Sequence, residues 1–185
     1  LFRSALYGLR ISEILGLRWR NVDLDARELR VVEQLPYGLE KGVHEVSEMA
    51  PVKSKEAGQG RTLPITEVSL RFFLRQREIQ EQQKALCRSS GTSYYDNDLV
   101  YAKPDGSPYR RDKLSNEFGQ VVRRSGLPHN RFHDLRHAAA TNMHQLTGDY
   151  YTVSELLGHT LEGTAKSLGF TTQVNTVTAR YVEVR

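Results

Sequence analysis

The stretch Phe132-His133-Asp134-Leu135-Arg136-His137 begins a run whose apolar residues recur at helical spacing, which predicts a helix over 132–146. On such a helix His133, Arg136, His137 and Ala140 occupy adjoining turns of one face. A guanidinium stays charged and grips two oxygens at once, so Arg136 is a candidate anion ligand. His133 beside it suits hydrogen bonding to a phosphate, or proton transfer near neutral pH. His137 fits a satisfied structural histidine. Asp134 fits a brace for the helix, because a carboxylate next to a bound phosphate opposes binding. Two imidazoles four residues apart could also meet a metal, but no acidic or cysteine ligand stands at a recognisable spacing.

Upstream, Gly8-Leu9-Arg10-Ile11-Ser12-Glu13 predicts one helix ending at the glycine and another opening at Ile11. Ser12 is the expected N-cap, and Glu13 suits the positive end of the helix dipole. Arg10 then lies at a helix junction, either as an anion ligand or as an ordinary partner of Glu13 or Asp23. β-prone runs at 29–35, 43–53 and 61–65 predict a small antiparallel sheet, with Lys53 and Lys55 near its last hairpin. Thr66 should cap a long helix over 67–88. A short strand is expected at 99–101 and helices at 111–125 and 152–157, the last ending at Gly158 with Tyr150 and Tyr151 in the loop before it. The fold class is therefore α+β, mainly α-helical with a small three-stranded antiparallel sheet.

The chain has 185 residues, 38% hydrophobic and 26% charged, which suits one globular domain and excludes a disordered class. No apolar run reaches the length of a membrane-spanning helix, and no signal-peptide pattern occurs. The single cysteine, Cys87, excludes an intramolecular disulfide and a zinc site built on several thiolates, and fits a reducing cytoplasm. A formal charge of +4 says little by itself; the local groups Arg18/Arg20, Lys53/Lys55/Arg61, Arg110/Arg111/Lys113 and Arg123/Arg124 are better candidates for phosphate contact. The chain starts at Leu1 with a helix-like pattern already under way, so the expectation is a fragment of a longer protein.

Downstream, Leu157-Gly158-His159 ends a predicted helix and can aim the His159 ring into a cleft. Of the nine tyrosines, only Tyr181 follows His159, and Arg180 precedes it directly. Neighbouring cations favour a phenolate, the form in which a phenol attacks phosphorus. Arginines and a lysine aimed at non-bridging oxygens would stabilise the charge that builds there.

Taken in this order, the segments resemble the catalytic domain of the tyrosine recombinases, the phage-integrase family. The first box resembles Gly8-Leu9-Arg10-Ile11-Ser12-Glu13-Ile14-Leu15-Gly16-Leu17-Arg18-Trp19, and the hairpin lysine segment resembles Pro51-Val52-Lys53-Ser54-Lys55 before Arg61-Thr62-Leu63-Pro64-Ile65. The later boxes are similar to residues 132–137, to Leu156-Leu157-Gly158-His159-Thr160 and to Thr178-Ala179-Arg180-Tyr181. The resemblance implies a tyrosine-recombinase catalytic-domain-like fold over 1–185, with the family's N-terminal DNA-clamping domain outside this sequence. It implies that Tyr181 attacks the scissile phosphate to form a 3′-phosphotyrosyl bond, releasing a 5′-hydroxyl. Arg10, Arg136 and His133 would hold the phosphate, Lys53 would protonate the leaving oxygen (Lys55 being its rival), and His159 would assist. It further implies double-stranded DNA as partner, a homotetramer on paired sites, no metal or nucleotide cofactor, and a bacterial or phage-encoded, cytoplasmic protein of a mobile element. The interval between His159 and Tyr181 is longer than the family's usual one. A type IB topoisomerase-like enzyme, an inactive DNA-binding relic and a histidine-metal hydrolase are the competing expectations.

Overall fold

The computed structural model describes residues 7–52 and 60–158, together with 164 and 168. Its first helix, α1 (Ile11–Leu15), follows a sharp turn at Gly8, whose φ of 62° is left-handed. The N-cap is Arg10, not the expected Ser12, because the turn at Gly8 lets the helix begin earlier. Glu13, at the third helical position, accepts the Arg10 main-chain N–H at 2.9 Å, the bond by which an N3 glutamate reaches back to the N-cap in a capping box. Ser12 is buried instead, and its carbonyl accepts the N–H of Leu35 at 2.9 Å, which ties α1 to the following strands.

A 3-10 turn at Trp19–Asn21 leads into β1 (Val22–Asp23), β2 (Glu28–Val31) and β3 (Glu33–Gln34); β4 (Ala50–Pro51) and β5 (Arg61–Pro64) follow. The strands β1-β2-β5 form a three-stranded antiparallel sheet with Leu29 opposite Leu63 and Val31 opposite Arg61. Along β2, Leu29 and Val31 face the core while Glu28 and Arg30 face out, as period-two patterning requires.

The expected strand over 43–53 is a correction. Only Ala50–Pro51 forms, and it pairs with β3 in a separate two-stranded ladder. Pro51 lacks a donor, and Asn97 takes the place of a neighbouring strand: its Oδ1 accepts from Val46 N–H and its Nδ2 donates to the His44 carbonyl, both at 2.8 Å. The expected strand at 99–101 is likewise only an isolated bridge between Arg18 and Leu99.

The long helix α2 (Glu67–Ser90) is capped by the Thr66 hydroxyl, which accepts from Ser69 N–H, and is closed by Gly91. It places Phe73 against Trp19, with ring centroids 6.2 Å apart, and Gln80 takes the Trp19 indole N–H at 2.7 Å. Three further helices follow: α3 (Arg111–Arg124), α4 (Asp134–Thr147) and α5 (Tyr150–Leu157). Asp149 caps α5 by accepting from Tyr151 and Thr152, so Tyr150 and Tyr151 lie in its first turn and not in a preceding loop. The main core gathers Leu9, Ile14, Leu29, Val31, Leu63, Phe73, Phe118 and Phe132, so the sheet, α1, α2 and the entry to α4 share one apolar centre. A smaller cluster of Ala140, Val153 and Leu157 joins α4 to α5.

Gly8 is the tightest point of this assembly. A Cβ there would meet Leu157 Cδ2 at 2.3 Å, on a backbone that L side chains avoid. Strain and overpacking together predict that Gly8→Ala destabilises the fold by roughly 2–5 kcal/mol. Urea unfolding followed by circular dichroism measures this, and a midpoint equal to that of the unaltered protein would contradict it.

Candidate active site

Two of the predicted site residues, Arg10 and Arg136, converge with Arg61 around one buried carboxylate. Glu13 is 1% exposed. Its Oε1 accepts from Arg10 Nη1 at 2.8 Å, and its Oε2 accepts from the Arg10 main-chain N–H at 2.9 Å. Arg61, at the start of β5, grips the same carboxylate in a bidentate pair, Nη2 to Oε2 at 2.8 Å and Nη1 to Oε1 at 3.3 Å. Arg136 Nη1 stands 3.9 Å from Oε2. Asp23, the alternative partner for Arg10, instead accepts from main-chain N–H groups of Asp25 and Ala26.

Arg136 is 2% exposed, on α4, and reaches across the fold to two main-chain carbonyls. Its Nη1 donates to Gly8 O and its Nη2 to Leu157 O, the latter at 2.6 Å. Both oxygens sit where the chain leaves regular helical bonding, and the C-terminal carbonyls of a helix attract cations. Burial above all, and then the positive charge of Arg10, pull Arg136 down to about 9, against the Glu13 charge; it remains protonated at neutral pH.

Burial by itself would raise the Glu13 pKa. The charge and hydrogen bonds of Arg61, followed by those of Arg10, outweigh it and hold Glu13 at about 2. His133 is the residue that precedes α4, with its ring 5.0 Å from that of His137 in an edge-to-face contact. Burial, then the positive charges of His137, Arg136 and Arg10, lower the pKa of His133, so its ring is neutral at pH 7. Asp134 accepts the Arg131 main-chain N–H at 2.6 Å and so braces the entry to the helix, as expected.

Arg10 and His133 form part of the wall of a cleft of about 620 Å³. Tyr37, Arg110, Arg111, Ser115 and Arg131 complete its polar lining, along with one acid, Asp112. Arg111 lies over the Tyr37 ring at 4.1 Å, while Arg110 is tied to Asp112 at 2.7 Å. A positive concavity of this kind attracts a polyanion. Not every predicted basic group belongs to it: Arg20 pairs with Glu33 at 3.0 Å, and Arg61 turns inward to Glu13. Lys53, Lys55, His159 and Tyr181 lie outside the described residues. Among the described residues no group of three His, Cys, Asp or Glu is placed to hold a metal, and no helix is long and apolar enough to cross a membrane. Arg61 and Arg111 stood in the sequence only as members of basic groups suited to phosphate contact; the grip of Arg61 on Glu13 and the stacking of Arg111 on Tyr37 join residues far apart in the chain and leave no local signal.

The fold agrees with comparisons to known proteins. The family described as "Phage integrase family" matches residues 5–167, and the chain belongs to that family. It is 30% identical over 155 residues to a protein named "Tyrosine recombinase XerC-like" from Caldanaerobacter subterraneus subsp. tengcongensis, covering 82% of this chain and 39% of that one. It is 27% identical over 154 residues to the ICEBs1 integrase of Bacillus subtilis, covering 83% and 39%. The chain thus spans about two-fifths of the length of these curated relatives. Among solved structures, the Tn1549 transposon integrase in complex with transposon right end DNA aligns with a TM-score of 0.68 at 19% identity, over 98% of this chain and 56% of that one. The XerA recombinase aligns with a TM-score of 0.65 at 16% identity, over 99% and 56%. These structures share the fold.

The depressed Glu13 pKa makes a prediction about stability. Because the carboxylate ionises more readily when folded, its contribution is fully present above its ordinary value of 4.5 and is lost as pH falls toward 2. The shift corresponds to about 3 kcal/mol. Glu13→Gln should therefore be destabilised by roughly that amount at pH 7, with the gap to the unaltered protein narrowing between pH 4.5 and 2. Urea midpoints across this range measure the gap; a pH-independent one would contradict the assignment.

Proposed function

We propose that this chain is the catalytic domain of a site-specific DNA recombinase, which breaks and rejoins strands through a phosphotyrosyl intermediate. The observation that carries the reading is the convergence of Arg10, Arg136 and His133, from segments far apart in sequence, beside one positively lined cleft. Membership of the phage integrase family supports it. The DNA-bound state of the Tn1549 integrase supports DNA as the partner.

In this reading the scissile phosphate sits against Arg10 and His133 at the cleft wall, with Arg136 behind them adding charge. The Tyr181 oxygen attacks phosphorus as the bond to the 5′ oxygen breaks, leaving a 3′-phosphotyrosyl bond. The hairpin lysine, Lys53 or its neighbour Lys55, gives its proton to the departing 5′ oxygen. His159 steadies the phosphate or the nucleophile. A neutral His133 serves as a hydrogen-bond donor through one ring nitrogen and an acceptor through the other. Attack by a 5′-hydroxyl of a partner strand then reverses the first step, so the bond energy is kept and neither metal nor nucleotide is consumed. The protein would act in the cytoplasm of a bacterium, as a homotetramer on paired sites.

A nicked suicide substrate, which loses its 5′-hydroxyl fragment after cleavage, should trap the protein on DNA, and peptide mapping should place the bond on Tyr181. Tyr181→Phe should bring adduct formation to background while DNA affinity stays unchanged. An adduct that persists in this variant would remove Tyr181 from its role. Relaxation of supercoiled DNA by a single copy without paired sites would favour the topoisomerase-like alternative.

A further inference from the structure

We infer that Arg61 is a positioning residue for the phosphate site, holding Glu13 so that Arg10 can serve the anion and bracing the helix end at Leu156–Gly158. The inference rests on the recombinase reading above.

Three observations carry it. First, the Arg61 side chain is only 10% exposed, and it binds a carboxylate with no exposed surface through both oxygens. A bidentate fork fixes orientation as well as charge. Second, its remaining donor is used elsewhere: Nε donates to Leu156 O at 2.8 Å. Arg136 holds the very next carbonyl, Leu157 O. Two arginines from separate segments thus clamp consecutive carbonyls at the C-terminus of α5, just before Gly158. Third, the Arg61 side chain lies against Gly158: a Cβ there would meet its Nη1 at 3.1 Å and its Cδ at 3.4 Å. Gly158 adopts φ 64°, so the turn is shaped by glycine and packed by Arg61.

The electrostatic consequence follows from the charges. Glu13 meets both Arg10 and Arg136, and without Arg61 its negative charge would be shared by those two alone. An anion entering the cleft would then meet two arginines against one acid, a smaller positive surplus than three against one. With Arg61 in place, the cluster of Arg10, Arg61, Arg136 and Glu13 keeps a surplus of positive charge. Arg61 acts through Glu13 and the α5 terminus, without touching substrate.

The test compares Arg61→Lys, which keeps the charge but not the fork, with Arg61→Gln, which loses the charge. Single-turnover cleavage of a nicked suicide substrate is measured at saturating DNA, alongside DNA affinity and thermal unfolding. The expected result is a fall in the saturated cleavage rate of about 10²-fold for Arg61→Gln and a smaller one for Arg61→Lys, with affinity nearly constant. Should Arg61→Gln fail to fold, Arg61→Lys alone decides, because its retained charge still satisfies Glu13. A folded Arg61→Lys that cleaves at the unaltered rate overturns the inference, as does a loss that appears only in DNA affinity. Absence of any adduct with the unaltered protein overturns the recombinase reading itself.

Discussion

The structure depends on one buried negative charge. Glu13 has no exposed side-chain surface, and an unpaired carboxylate at such a position would be strongly destabilising. Arg10 pairs with it from the same turn, Arg61 from the edge of the sheet and Arg136 from α4. Satisfying this single group therefore requires α1, β5 and α4 to meet at one point. Electrostatic need and apolar packing agree here, since the main core draws residues from the same segments.

The same cluster converts a structural requirement into a chemical one. Three guanidiniums meet one carboxylate, so these four side chains together carry a surplus of positive charge. Arg10 borders the cleft while Arg136 is held behind it by Gly8 and Leu157 carbonyls. Preorganised cations of this kind need little reorientation when an anion arrives. His133 stays neutral beside them for the same reason that Arg136 is pulled down: burial and like charge disfavour another cation.

Much of the fold was legible in the sequence where the signal was local. Thr66 as cap of α2, the helical stretch beginning near His133, and Gly158 as the end of α5 all rest on contacts within a few residues. Local signals failed where a distant side chain competed. Asn97 claims main-chain groups at His44 and Val46, so the β-prone run around them never joins the sheet. Ser12 has the chemistry of a cap, yet Leu35 takes its carbonyl and burial takes its side chain, while Glu13 does the capping.

The candidate site divides in the same way. The resemblance to the tyrosine recombinases, carried by the order and type of the motif residues, is what grouped Arg10, His133 and Arg136 as companions. Sequence also offered Glu13 as a partner for Arg10. Only the tertiary structure decided that Arg61 turns away from solvent to grip Glu13, that Arg136 lies behind the cleft, and that Tyr37 carries Arg111. An arginine's long side chain can reach water or a buried acid with equal ease, and the choice depends on where distant backbone segments place the partner.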